Sequence, residues 1–380
     1  MGCKNVCIGD VATYRKDSIK PVAGVTYRCY SLPAFDNCRS PEILDGSEIL
    51  SSKLKIEKGD ILVNKLNMRF KRIWPLNELD DNSVCSTEFL PLHPKESVDP
   101  DFLLYTLLSD SFTKELSGMR TGTSGSHQRV KPEWVLGYRF DLPDLDCQRK
   151  IGIVLAAIDL KIACNAKING YLEEQCEAVA NHEKGCAVEL ASLGDLVKDK
   201  ADHSEAIFDT YVSTESLLPG KKGRRTSSSL PQTGKVTVYK AGDILVSNIR
   251  PYFKKIWYAD RAGTCSGDVL VFRAKQPELS GYLYSCMHSD AFFDYVMKGA
   301  KGTKMPRGDK KQMLGYKVAG SPSEAAVVFI ESALNQVSSS SIEKHRLAAL
   351  RDALLPKLMS GEIDVSKVDL TQLNSHLSDC

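Results

Sequence analysis

The chain has 380 residues, of which 42% are hydrophobic and 26% charged. That balance fits a globular protein with two or three domain-sized cores, and no apolar run approaches the length of a membrane-spanning helix. The amino terminus carries no apolar signal stretch and the twelve cysteines include no Cys-x-x-Cys pair, so structural zinc is not expected and the thiols read as reduced and cytoplasmic.

The net charge of +2 hides an uneven distribution. Residues 53–72 hold seven bases and two acids, 219–261 ten bases and two acids, and 298–317 seven bases and one acid. Local basic stretches on a near-neutral chain suit contact with phosphates; an ordinary solvated surface is the plainer reading.

In chain order, the first strong signal is GDILVNKLNMRFKRIW at 59–74. A short apolar, β-branched run after a glycine predicts a strand, and the closing Ile-Trp predicts its partner. Asn64, Lys65, Asn67 and Arg69 follow the first strand and are of the types that reach phosphates and base edges. Apolar spacing predicts a helix over 102–116. Residues 120–129 then read RTGTSGSHQR, a loop whose glycines permit close backbone approach and whose Arg120, Thr123, Ser124, His127, Gln128 and Arg129 are donors or acceptors.

A long helix is expected from about Asp146 to Glu183. Its seam runs Ile151, Leu155, Ile158, Ile162, then Ile168 or Asn169, Leu172, Cys176 and Val179, with Asn165 in the missing place. Four such repeats indicate a coiled coil, and a seam asparagine suits a register-setting contact.

The second half begins with a basic loop containing Lys221, Lys222, Arg224 and Arg225. GDILVSNIRPYFKKIW follows at 242–257, with Ser247, Asn248, Arg250 and Tyr252 after its strand. Apolar spacing over 283–296 predicts a helix. Residues 298–311 form a basic segment with Lys301, Lys304, Arg307 and Lys310. A second long helix opens at Ser323, a capping residue, and should stop near Pro356 and Gly361.

The two halves are copies. The sixteen-residue segments share nine identities at an offset of 183. Cys85-Ser86 then matches Cys265-Ser266, Ser109 to Phe112 matches Ser289 to Phe292, Gly122-Thr123 matches Gly302-Thr303, and Leu136-Gly137-Tyr138 matches Leu314-Gly315-Tyr316. An ordered series of this kind implies one domain present twice. The expected fold is α+β: mixed α/β recognition domains at 1–145 and 186–321, long antiparallel coiled-coil helices at 146–185 and 322–361 related by a pseudo-twofold, and a polar tail at 362–380. About 33 helical residues make a rod of roughly 50 Å, long enough to act as a ruler between two half-sites on DNA. Helices that merely cap each core are the plainer alternative.

This arrangement resembles the type I restriction-modification specificity subunits. Leu142-Pro143-Asp144-Leu145, Gln148 to Ile151, Leu160-Lys161-Ile162, Asn165 to Asn169 and Leu172-Glu173-Glu174 resemble the family's first central helix. Leu350 to Ile363 resembles its C-terminal signature. Ser321 to Ala326 departs from it, lacking the usual glutamine at the start of the second helix. The resemblance implies two target recognition domains reading a bipartite, asymmetric site on double-stranded DNA. It also implies two methyltransferase subunits docked on the helices, and restriction-translocase subunits recruited through them.

No catalytic residue stands out. The Asn/Asp-Pro-Pro-aromatic motif and glycine-rich cofactor loop of an adenine methyltransferase are missing, as are a nucleotide-binding phosphate loop, a nucleophile elbow and metal-ligand histidine spacing. No cofactor or metal is expected. A duplicated protein-binding scaffold and the recognition subunit of a modification-only system are the alternatives.

Overall fold

The computed structural model describes residues 3–37, 39–119, 129–366 and 368. Cα proximity divides the chain into two compact units, Met1–Ile162 with Arg346–Cys380, and Ala163–His345. Each unit therefore takes a part of both long helices, Leu145–His182 and Glu324–Met359.

Both units are built on the same four-stranded antiparallel sheet. In the first, the order is Ala12–Tyr14, Phe89–Pro94, Ile61–Asn64, Ile73–Pro75; in the second, Gly194–Leu196, Val269–Ala274, Ile244–Ser247, Ile256–Tyr258. The register repeats as well: Leu62 pairs with Trp74, and Leu245 with Trp257. Both strands of the repeated Ile-Leu-Val run are buried on both faces, which explains an unbroken apolar sequence where a half-exposed strand would alternate. Ile61 and Val63 pack on the helical side of the first unit, whereas Leu62 and Trp74 pack on a second core with Tyr30 and Phe89. Ile244 and Val246 divide from Leu245 and Trp257 in the same way. The two tryptophans are thus core.

The Gly-Asp pair before each strand has a physical reason. Gly59 and Gly242 adopt φ of 90° and 85°, and the aspartates behind them are fully buried. Asp60 accepts from Arg15 (3.1 Å) and meets His93 Nδ1 at 2.8 Å; Asp243 takes a two-pronged bond from Arg273 at 2.7 Å.

Two corrections to the predicted helices follow from serine chemistry. The stretches expected as single helices are each two, Pro100–Leu108 with Asp110–Gly118, and Ser280–His288 with Asp290–Lys298. Ser109 and Ser289 take extended backbone at the break, and each hydroxyl accepts from the amide of Phe112 or Phe292, capping the second helix.

Within each unit the two helix parts run antiparallel. In the first, Asp159 accepts from Tyr105 (2.8 Å) and Arg351 (2.6 Å), and Lys150 donates to the carbonyl of Ser366. In the second, Asn165 donates to Glu343 at 2.7 Å, Asn169 to Ser341 at 3.0 Å, and Ser323 to Glu183. Asn169, not Ile168, takes the seam position, since Ile168 is exposed. On the second long helix Leu350 is exposed, whereas Leu355 and Leu358 fill the core. Where the usual glutamine is missing, Ser323 bonds the Glu183 carboxylate and caps Ala326; in the first helix Gln148 accepts from the Asp99 amide and donates to the carbonyl of Pro143.

Candidate nucleic-acid interface

The repeated strand pair ends in a hairpin tip, and each unit lays one further segment beside that tip. In the first unit Leu66 bridges Arg129; in the second Ile249 bridges Arg307. The segments that the sequence placed far apart, 64–69 with 129 and 248–252 with 301–310, are neighbours in space. Arg120, Thr123, Ser124, His127 and Gln128 lie outside the described residues.

In the first unit, the Lys65 carbonyl accepts from Val130 and the Lys65 amide donates to Glu88. Arg129 forms a two-pronged pair with Glu88 (2.6 and 3.2 Å), and Lys65, Glu88, Arg129 and Lys131 line a shallow depression there. Burial lowers the pKa of the Lys65 ammonium from its ordinary value. Asn67 holds the left-handed backbone, φ 53°, that turns the tip. Arg69 is exposed, with its guanidinium 4.9 Å from the ring of Phe70.

Asn64 requires a correction. It is fully buried; its amide nitrogen donates to the carbonyls of Leu66 and Phe70 and its oxygen accepts from Arg72. Its side chain shapes the tip and faces no solvent. A short polar side chain at a strand end could satisfy either role, which is why the sequence did not separate them.

In the second unit, Arg250 holds the matching left-handed position at φ 51°, and its amide donates to the carbonyl of Pro306. Tyr252 stands at the tip, 48% exposed. Lys301 and Arg307 exchange backbone hydrogen bonds at 2.9 Å and carry exposed side chains, paired with Asp309 and Asp268. Lys304 and Lys310 are exposed on the same segment. Asn248 is buried, with an oxygen that makes no hydrogen bond.

The basic loop is tied to the same tip. Its Gly220 and Lys221 amides donate to the carbonyls of Phe253 and Lys254. Lys222 and Arg225 are exposed, but Arg224 is the second correction: it is buried, stacked 4.9 Å from the Trp257 ring, and donates to the Asp209 carbonyl. An arginine stem covers apolar area well, and a count of charges cannot show which one turns inward.

Behind the tip of the second unit lies a chain of ionisable groups reaching the first long helix. Lys254 and Lys221 bind Asp290 at 3.0 and 2.9 Å, Lys221 also binds Glu177 at 3.2 Å, and His288 meets Glu177 at 3.0 Å. Burial pushes the Glu177 carboxyl up, yet the hydrogen bond from His288 and the charge of Lys221 outweigh it and leave the pKa lowered. Burial would lower the Lys221 ammonium, but its bonds to Asp290 and Glu177 raise it overall. Glu173, one turn away, accepts from Tyr284 at 2.6 Å and has its pKa raised by burial. This lattice is not legible in the sequence, because its members come from four separate segments.

Among the described residues no group of three or more His, Cys, Asp or Glu could hold a metal ion, and no helix is long and apolar enough to cross a membrane.

No family model matches the chain. It is 30% identical over 129 residues to the specificity subunit of the type I restriction enzyme HindI from Haemophilus influenzae, a match covering 34% of this chain and 28% of that subunit's length. The S subunit of a type I restriction-modification system from M. genitalium superposes with a TM-score of 0.56 at 14% identity, covering 94% of this chain and 96% of that one. The HsdS subunit of Thermoanaerobacter tengcongensis gives a TM-score of 0.41 at 18% identity, covering 95% and 97%. The chain thus resembles a type I specificity subunit over about a third of its length, and it shares the fold of the M. genitalium S subunit.

Proposed function

We propose that the chain is the DNA-reading, non-catalytic subunit of a type I restriction-modification complex in the cytoplasm. Residues 1–145 and 186–321 serve as its recognition domains, and 146–185 and 322–361 as its spacer helices. One observation carries this reading. Each unit pairs the same hairpin tip with the same neighbouring segment, yet the polar residues along them differ: Lys65, Asn67, Arg69 and Arg129 in one, Arg250, Tyr252, Lys301 and Arg307 in the other. A fixed frame with changed side chains suits two different half-sites on double-stranded DNA. Lys222, Arg225, Lys304 and Lys310 would add phosphate contacts.

Apolar side chains left exposed on the long helices, Leu160, Ile168, Tyr171, Val328, Phe329 and Leu350, support protein docking there. Two methyltransferase subunits are the partners the resemblance assigns, with translocating restriction subunits reached through them. A modification-only system would use the same surfaces.

Co-expression with the methyltransferase partner tests the reading: methylome sequencing should find adenine methylation at one bipartite motif. Scattered methylation, or none, would refute it. Inserting about four residues, one helical turn, into both helices should lengthen the tolerated gap and leave the half-site bases unchanged. Binding should weaken steeply with salt, whereas a protein scaffold would be insensitive.

A further inference from the structure

Phe70 and Phe253 are aligned, identical and solvent-exposed, at 50% and 39%. A ring left in water at the same place in two copies calls for a reason beyond chance. Both rings are held there by the same local device. The left-handed residue three places earlier, Asn67 or Arg250, accepts from the phenylalanine amide at 2.9 or 3.0 Å. The following lysine then clamps the tip to a helix start: Lys71 to Asp110 at 2.5 Å, Lys254 to Asp290 at 3.0 Å. The helix-start aspartates are themselves equivalent in the repeat.

The tip sequences are basic, although Lys71, Arg72 and Lys254 are each paired with an aspartate of a neighbouring segment. Residues 64–72 contain four bases and no acid, and 247–255 contain three bases and no acid. The guanidiniums of Arg69 and Arg72 lie 4.9 and 5.2 Å from the Phe70 ring, and the Lys255 ammonium lies 5.8 Å from that of Phe253. Tyr252 extends the second aromatic surface, its ring 4.6 Å from Phe253. An apolar ring set in a basic tip suits DNA, where cations meet phosphates and the ring meets base faces.

The contrast between constant and changing positions adds to this. Asn67 against Arg250 and Arg69 against Tyr252 differ between the copies, whereas the phenylalanine does not. Residues that read particular bases must change when the target changes. A ring that separates or stacks on bases works on any sequence, because every base has a π-face.

We propose that Phe70 and Phe253 are DNA wedges, each pressing its ring into a base step of the half-site that its own unit reads. The proposal rests on the DNA-reading function above and adds a residue and a mode of contact to it.

The test uses the chain co-purified with its methyltransferase partner and duplexes carrying the bipartite motif, with 2-aminopurine placed in turn along each half-site. The wild type should brighten the probe at one step in each half. Phe70→Ala should abolish the signal in one half only, and Phe253→Ala in the other. Each variant should bind about 10- to 100-fold more weakly. The slope of affinity against salt should stay unchanged, since no phosphate contact is lost. Phe253→Leu, which keeps an apolar wedge, should retain the signal. If wild type and both alanine variants bind alike with the same probe response, the wedge is wrong while the DNA-reading function stands. If the wild type itself shows no motif preference, that function fails first. Loss of the methyltransferase from the alanine variants, with unchanged binding by the remainder, would make the rings a protein-docking site and overturn the wedge.

Discussion

The two units carry the same hairpin tip on different supports. In the first, the tip is tethered by ion pairs with one largely exposed partner, Lys71 to Asp110 and Arg72 to Asp36. In the second the tip's own pair, Lys254 to Asp290, is about as exposed, but it continues through Lys221 into the more buried Glu177 and His288, reaching the first long helix. Duplication preserved the backbone frame and the aspartate at the helix start, and the copies then diverged in how firmly the tip is fastened. The frame obeys packing, which tolerates little change; the fastening obeys surface electrostatics, which tolerates much.

The largest test of that contrast lies in the shared core. Trp74→Ala and Trp257→Ala should each lower stability by about 3–5 kcal/mol in urea unfolding, as large aromatic truncations do. The second should cost more. Trp74 packs against Tyr30 and Phe35, which can relax toward the void, whereas Trp257 also seats the buried Arg224 guanidinium. Equal losses would mean that Arg224 draws its stability from Asp209 alone.

The supports should separate next. Glu177→Ala leaves His288 and Lys221, both mostly buried, without their shared carboxylate, and should cost about 2–4 kcal/mol. Lys71→Ala removes a pair whose Asp110 is 75% exposed, and should cost less than about 1 kcal/mol. Chemical denaturation of both variants decides it, and similar costs would erase the difference between the units.

A pH effect follows from Glu173. Burial raises its folded pKa above the unfolded value, so its stabilising contribution is fully present below the unfolded pKa and is lost as pH rises through the folded one. Glu173→Gln keeps an oxygen to accept from Tyr284 and has no charge to lose. The variant should therefore gain on the wild type as pH rises from about 5 to 8, read as the difference between their urea midpoints. A difference that shrinks with pH would show Glu173 to be stabilised as an anion.

Much of this was legible in the sequence. The duplication, the strand run entered by Gly-Asp, the two long helices and the capping Ser323 are local patterns, and periodicity alone locates them. The split of each predicted helix at Ser109 and Ser289 was not, because a serine inside an apolar period reads equally well as an exposed helical residue. Inward-facing Asn64 and Arg224 were not legible either. Their side chains are placed by groups elsewhere in the chain, such as the Asp209 carbonyl and the Trp257 ring around Arg224. Phe70 and Phe253 were visible as identities, but only their exposure distinguishes them from the core tryptophans four residues on.

The last comparison concerns the seam. Asn165 is 3% exposed and donates to Glu343, where the first unit instead uses Asp159 between Tyr105 and Arg351. Asn165→Ala loses one hydrogen bond to a charged group and should cost about 1–2 kcal/mol. Asn165→Leu restores an apolar seam and should cost less or even stabilise, since buried polar groups serve register more than stability. The two variants therefore separate energy from register. If the asparagine sets register, the leucine variant should hold its unfolding midpoint yet methylate motifs with a broadened range of gaps. A single unchanged gap in its methylome would show that the register is fixed by the neighbouring Asn169, whose amide reaches Ser341 and the Val337 carbonyl.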